Sequence, residues 1–482
     1  MTLTRERMLD RMLASDSSFD GRFITGVLST GIFCLPSCRA RKPKPENVRF
    51  FTDPREAARA GLRPCKRCRP DLFYRGRDPQ RERLVEVIDS LRRDPARYGN
   101  VSDLADEAGI GTSKLNQQVR RYYQSTPAAL LLRFRLRMAR RLLLQGGDKV
   151  ADVAFACGFE SLSVFNEQFR RSQRMTPSSY RDLRRADSFL IDLPAPYPLA
   201  FMLDYWGRDP ESLSETVAGR SLRLALRLEE RPLAVQVDFQ GGAAACRLLD
   251  GAPRPGSAAR VHRRLLNLLG LDQDPRPFEA SLSGQPRLAP LLRLPGLRIP
   301  RLAGRVEGLI WVIVGQQVNL PFAYTLRRTL YRLAGTPTPS GLTAPPRPQD
   351  LAGLDIGDLR LRQFSRQKAS YLIGVGEALL NNEVPSPSRL HPFCQLERTL
   401  SSLKGLGPWS VHYLLMRLYG FQDCYPVGDA GLVRALQSFF GLRRRPDRRQ
   451  VEELMAPFAP YRSLAAFHLW NWSPENNEET AK

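Results

Sequence analysis

Two groups of residues carry spacing that can do chemistry. Cys34, Cys38, Cys65 and Cys68 form C-x3-C-x26-C-x2-C, two close pairs separated by a loop. Such thiols can form a disulfide, hold a metal or act as nucleophiles. Short spacing within each pair lets both sulfurs reach one tetrahedral ion, so the pattern points to a four-thiolate Zn2+ site. Spacing alone does not separate a zinc that merely staples a small domain from one that activates a thiolate. Arg39, Arg41 and Lys42 follow the first pair. Arg39 and Arg41 read either as phosphate contacts or as plain surface charge. The second group lies in LKGLGPWSVHYLLMRLYG (Leu403 to Gly420) and YPVGDAGLVRAL (Tyr425 to Leu436). Lys404, Gly405 and Gly407 form a turn that opens a helix, where backbone N–H groups can bind DNA phosphates without reading sequence. Asp429 starts the next helix, where the helix dipole favours a negative charge and where a plain N-cap is the alternative role. Trp409 and Tyr413 stand four apart, on one helix face, as a pocket wall or as core.

The elements that must position these groups are mixed. The chain has 482 residues, room for three or four domains, and 42% apolar residues, enough for packed cores. Lys and Arg total 73 against 49 acidic residues, a net charge of +24. An excess spread over the whole chain calls for a polyanionic partner, most simply nucleic acid. The start, MTLTRERMLDRML, interleaves charges with apolar residues, unlike a signal peptide, and no segment has the clean apolar length of a membrane span. A cytoplasmic, bacterial protein without membrane contact is expected, and in the cytosol disulfides are rare.

An internal repeat lies between residues 80 and 185. LADEAGIGTSKLNQQVRRYYQSTP (Leu104 to Pro127) is similar to VAFACGFESLSVFNEQFRRSQRMTP (Val153 to Pro177), with Gly109 and Gly158 in equivalent turns. Each copy reads as helix, glycine-containing turn, helix, and the second helix of each would enter a major groove. LLRFRLRMARRLLLQGG (Leu131 to Gly147) would join them. PAPYP (Pro194 to Pro198) reads as a linker and DQDPRPF (Asp272 to Phe278) as another break. Between them SLRLALRLEERPLAVQVDF (Ser221 to Phe239) alternates leucines with Arg223 and Arg227, as a half-buried β-hairpin does. Helices dominate from 276 onward, interrupted by a Pro-rich loop, TPTPSGLTAPPRP, and the polar tail SPENNEETAK reads as frayed.

The fold class expected is therefore multidomain and mainly α with α+β parts. It comprises a small four-cysteine zinc domain (1–78), an all-α double helix-turn-helix (80–185), an α+β hairpin-containing domain (197–275) and an all-α helix-hairpin-helix domain (276–478).

GIFCLPSCRAR, PENVRFF and GLRPCKRC resemble the Ada-type methylphosphotriester zinc domain, and the next hundred residues resemble AraC-type regulators. This resemblance implies that Cys34, as a zinc-bound thiolate, takes a methyl group from a methylphosphotriester in DNA while Cys38, Cys65 and Cys68 remain ligands. Losing one negative charge there would raise affinity for DNA. The P-C-H-R acceptor of Ada proper is absent, since Cys394 lies in HPFCQLE, so O6-alkylguanine transfer is not expected. The G-x-G turn with Asp429 downstream, together with IVGQQV (Ile313 to Val318), resembles the helix-hairpin-helix DNA glycosylases, most closely the AlkA type. That resemblance implies a catalytic Asp429, a base pocket of Trp409, Tyr413 and Trp470, and Gln317 at the position that wedges into the DNA stack, where apolar residues are usual. Aromatic faces attract the positive charge of a flipped alkylated purine. Bifunctional relatives carry a lysine where Trp409 stands, so base removal without strand cleavage is implied. No cysteine follows Cys424, which excludes the iron–sulfur cluster of some relatives.

Together these readings describe an alkylation-damage protein that binds alkylated and promoter DNA, meets RNA polymerase and works as a monomer. Two other readings stand beside it. One is a regulator whose C-terminal half only binds DNA. The other is a repair enzyme without promoter-specific regulation. Cys157, Cys246, Cys394 and Cys424 read as buried apolar thiols, and the four histidines show no ligand spacing.

Overall fold

The computed structural model describes residues 3–75, 79–250 and 254–472. The tail SPENNEETAK and the expected boundary at 78 lie outside the described residues. The chain divides into two compact units, Met1–Asp94 with Leu104–Gln118, and Pro95–Asp103 with Val119–Lys482.

In the first unit a four-stranded sheet runs β3-β1-β2-β4, with β1 Ile24–Val27, β2 Ile32–Cys34, β3 Val48–Phe51 and β4 Arg63–Pro64. β1 is antiparallel to β2 and β3, whereas β2 and β4 are parallel, with Phe33 opposite Pro64. The apolar clusters are small. One holds Ile24, Phe33, Phe51, Ala57 and Leu62, and the other Met12, Phe19, Phe23 and Val48. Cores of this size leave little stability of their own, which is the usual setting for a metal staple.

The repeat forms the expected helices. The first copy is α1 (Val101–Ala108) and α2 (Thr112–Tyr123), α3 (Pro127–Gln145) joins, and the second copy is α4 (Val150–Ala156) and α5 (Leu162–Gln173), followed by α6 (Pro177–Asp182). Gly109 and Gly158 adopt φ of +66° and +83°, the left-handed turn that glycine permits. Thr126 and Thr176 each cap the next helix by accepting from a backbone N–H, of Ala129 and Ser179, with proline at the first helical position.

The second unit contains an antiparallel sheet ordered β5-β9-β8-β7-β6, with β5 Ser188–Asp192, β6 Glu215–Ala218, β7 Ser221–Leu228, β8 Arg231–Gln240 and β9 Ala243–Leu248. The hairpin turns at Glu229, whose φ is +56°. Leu222, Leu224, Leu226 and Leu228 face a core shared with α7 (Ser257–Leu268), with Leu136 of α3, with Val153, Phe165 and Phe169 of the second helix-turn-helix, and with Tyr180 of α6. His262 of α7 is buried there, its Nε2 2.8 Å from the Gln173 carbonyl and its ring 5.5 Å from Tyr180. PAPYP differs from a free linker. β5 pairs with β9 just upstream, and the Tyr197 hydroxyl donates to the Leu269 carbonyl at 3.1 Å, so the stretch is held against the C-terminal end of α7. The hairpin's polar face is also covered. Arg223 and Arg227 donate to the carbonyls of Ser340 and Pro345 in the Pro-rich segment, which itself pairs as β10 (Thr336–Pro337) and β11 (Thr343–Ala344).

The remaining helices pack around a separate core that begins at Phe278. They include α8 (Arg305–Val314), α9 (Leu320–Ala334), α10 (Arg366–Leu380), α11 (Phe393–Ser401), α12 (Pro408–Leu414), α13 (Ala430–Phe439) and α14 (Arg462–Trp470). α12 runs into a π-helical turn, Leu415–Tyr419, a feature often found beside functional sites.

Candidate zinc centre and base-excision cleft

The strand register assembles the sulfur cluster. Cys34 ends β2 and Cys65 follows β4, and the parallel pairing sets them side by side, with the Cys65 N–H donating to the Phe33 carbonyl at 2.9 Å. Cys38 returns through a turn in which its N–H bonds the Leu35 carbonyl at 3.1 Å, and the Leu35 N–H points to the Cys68 sulfur at 3.4 Å. All four sulfurs lie within 4.8 Å of one another. Hydrogen bonding with Cys38 and Cys68 pushes the Cys34 thiol far up, and the same sharing pulls Cys38 down to about 2. Four sulfurs this close and this buried cannot ionise together without a cation among them. The donor set therefore fits one Zn2+, which Cys34, Cys38, Cys65 and Cys68 would hold.

Arg39 and Arg41 are exposed beside the cluster, and Arg67 donates to the Arg39 carbonyl at 3.0 Å. Lys42 turns inward instead. Its ammonium donates to the Cys38 carbonyl at 2.9 Å and to the Met12 carbonyl, and burial lowers its pKa. Asp20 anchors the same loop through the N–H and hydroxyl of Ser37. Neither residue announces this role in the sequence, because both act through backbone geometry.

The second site is a cleft of about 1610 Å³. Asp429 caps α13, its Oδ1 accepting from the Leu432 N–H at 2.6 Å. Trp470 of α14 donates its indole N–H to the same oxygen at 2.9 Å, and Trp409 of α12 donates to Oδ2 at 2.8 Å. The N-cap role and a place in the cleft are thus held by one carboxylate. Trp409, Tyr413 and Trp470 form one aromatic wall, with ring separations of 5.3 and 6.2 Å. The Tyr413 hydroxyl accepts from Trp311 Nε1 at 2.9 Å, and burial pushes its pKa up to about 12. Arg417 lies below this wall, over the rings of Tyr205, Tyr413 and Phe467.

Gly405 has φ +93°, and a Cβ there would fall 2.4 Å from the Tyr371 ring, so glycine is required. Lys404 and Gly407 are exposed beside it. Gln317 is exposed at the rim with φ +55°, while Gln316 turns inward and donates to the Gly405 carbonyl at 2.8 Å and the Ser410 hydroxyl at 3.1 Å. Gln317 is marked by its place in the family resemblance, whereas nothing in the sequence marks Gln316, Trp311 or Arg417. The adjacent glutamines carry no pattern that separates them, and the other two are supplied by distant packing. His412 bridges the Tyr425 carbonyl (3.1 Å) and Glu397 (2.9 Å), steadying the approach to Asp429. Of the other cysteines, Cys157, Cys246 and Cys424 are buried as expected, but Cys394 is only half-buried because it lies in the first turn of α11, outside the core.

Comparison with known proteins finds three family matches in order and a relative that spans nearly the full chain. Residues 7–71 match the family described as metal binding domain of Ada, 104–183 a helix-turn-helix domain, and 310–460 the HhH-GPD superfamily base excision DNA repair protein. The chain is 30% identical over 493 aligned positions to the "Probable bifunctional transcriptional activator/DNA repair enzyme AlkA" of Mycobacterium tuberculosis, covering 96% of each. It is 32% identical to the bifunctional transcriptional activator/DNA repair enzyme Ada of Escherichia coli over 37% of this chain and 49% of that one. A 3-methyladenine DNA-glycosylase structure from Archaeoglobus fulgidus shares the fold over 59% of this chain and 97% of its own, at 20% identity and a TM-score of 0.51. Among the described residues no helix is long and apolar enough to cross a membrane. With a metal-binding, a helix-turn-helix and a glycosylase domain in this order, the chain belongs to the family of bifunctional transcriptional activator/DNA repair enzymes that pair Ada-type DNA-binding modules with an HhH-GPD DNA glycosylase.

Proposed function

We propose that Cys34 is a single-turnover methyl acceptor and that the C-terminal half is a monofunctional glycosylase acting on alkylated purines such as 3-methyladenine. Bound Zn2+ would keep the four sulfurs deprotonated at neutral pH and so preserve their nucleophilic form. The Cys34 sulfur attacks the methyl carbon of a methylphosphotriester, an S–C bond forms, the C–O bond breaks and the phosphodiester anion leaves. Exposed Arg39 and Arg41 hold flanking phosphates. The net charge at the cluster becomes less negative, and DNA affinity of the helix-turn-helix half rises. As activator, this half meets RNA polymerase, and the protein works as a monomer.

In the cleft a flipped base stacks on Trp409, Tyr413 and Trp470, whose faces attract its positive charge. Lys404, Gly405 and Gly407 hold the backbone and Gln317 approaches the vacated stack. Asp429 stabilises the cation-like sugar as the N-glycosidic bond breaks. The observation that carries this reading is the triple hydrogen bonding of Asp429, because both oxygens are pinned by two indoles and one backbone N–H. A carboxylate so held suits electrostatic stabilisation better than abstraction of a proton from water. No Schiff-base route is supported, since Trp409 occupies the lysine position, Lys404 is exposed on the hairpin and the Lys368 ammonium is bound to the Val314 carbonyl at 2.7 Å.

The test is incubation with methyl-labelled duplex DNA. Label is expected on Cys34 alone, and free 3-methyladenine is expected from wild type. D429N should lower release about a thousandfold while labelling of Cys34 persists. Undiminished release, or label on another cysteine, overturns the corresponding half.

A further inference from the structure

A second concavity, of about 1010 Å³, lies between α3 and α5 on one side and α7 with the loop that follows it on the other, and Asp429 does not line it. One wall is a stripe of α3 bearing Arg133, Arg137 and Arg140, at helical spacing, continued by Arg170, Arg171 and Arg174 at the end of α5. The other is formed by Arg263 of α7, the loop Asp272 to Arg276, and Arg298. Some of this charge is neutralised in place. Arg170 pairs with Asp192 (3.0 Å), Arg171 and Arg276 with Asp274 (3.0 and 2.7 Å), and Arg389 with Asp272 (2.9 Å).

Among the described residues Arg140, Arg174, Arg263 and Arg298 have no carboxylate at ion-pair distance. Arg298 is only 4% exposed, and its Nε and that of Arg174 are buried with no hydrogen-bond partner. Burial, then the Arg174 charge, lowers the Arg298 pKa to about 10, and burial followed by Arg140 and Arg264 lowers that of Arg263. Guanidinium groups do not lose their protons, and Asp274, Asp192 and Glu279 offset only part of this charge, so a bound anion would relieve the rest. Buried unsatisfied donors are uncommon, and a planar N–H fork suits the oxygens of a phosphate.

We propose that this groove binds a phosphate oxyanion, supplied by the backbone of the DNA held by the helix-turn-helix half. DNA is favoured over a free phosphate compound because α5 belongs to the DNA-binding repeat and α3 joins its two copies. The groove would then tie the regulator and the glycosylase to one duplex. The inference uses DNA binding alone and stands whether or not Cys34 and Asp429 have the roles given above.

The experiment compares full-length wild type with an R140Q/R263Q double variant. Both side chains lie at the rim, and an unchanged unfolding midpoint verifies the fold. Duplex affinity is measured against salt concentration, and pyrophosphate binding is measured by calorimetry without DNA. The variant's log–log salt slope should be shallower by about 0.9 per lost contact, so that its affinity falls about tenfold less than wild type between roughly 50 and 200 mM salt. Pyrophosphate binding that the variant loses, with an unchanged DNA slope, would keep the phosphate site and assign it to a free compound. An unchanged slope with no pyrophosphate binding by wild type overturns the proposal.

Discussion

The sulfur cluster and the Asp429 cleft are built on opposite principles. Cys34 and Cys65 meet because two short strands pair in parallel, above clusters of five and four buried side chains. Backbone contacts shape the loops, but only a cation can offset the mutual repulsion of four thiolates. Asp429 needs no cation. It is fixed by Trp409, Trp470 and the Leu432 N–H, each mounted on a helix of an extensive core. A site stapled by its own ligand would change if one of its sulfurs were modified, which suits the sensor role proposed above. A site held by packing returns unchanged after each event, which suits a catalyst.

Removing the metal should have the largest effect. A zinc chelator should unfold the N-terminal domain, since structural zinc contributes on the order of 10 kcal/mol, while release of 3-methyladenine from alkylated DNA continues. Circular dichroism and base-release assays on one sample check this. Loss of both activities together would show that the two sites are not independently supported.

Acid should act on the packed half through different groups. His262 and His468 are buried, and burial lowers each pKa from 6.5 to about 4. The unfolded chain therefore binds more protons between these values. Stability is fully present above pH 6.5 and is lost as pH falls toward 4, by about 3 kcal/mol per histidine. Urea midpoints across this window should show the slope, and H262Q should reduce it. A flat profile would remove the assignment of neutral histidines.

The smallest effect sharpens the view of the cleft. W470F keeps an aromatic ring but removes the indole donor to Asp429 Oδ1. Base release should fall about tenfold, near 1.4 kcal/mol, with little change in substrate affinity. An equal loss in affinity would make Trp470 a stacking surface only.

Much of this was legible in the chain. The repeat around Gly109 and Gly158, the leucine alternation in β7, and the cysteine spacing all depend on contacts within a few dozen residues, and local patterns record such contacts. PAPYP was not legible as a packed segment, because its partners, Leu269 and Arg298, come from far downstream. Nor was the choice between Gln316 and Gln317, which turns on a single left-handed residue at the end of a helix.

Residue type and short-range period suffice to set the ligand set of the metal, the order of the modules and the position of the acidic residue at a helix start. Only the tertiary structure decided that both Asp429 oxygens are held by indoles from two other helices, and that the second helix-turn-helix shares a core with the five-stranded sheet. Those outcomes depend on which faces meet across hundreds of residues, and no local period encodes the meeting.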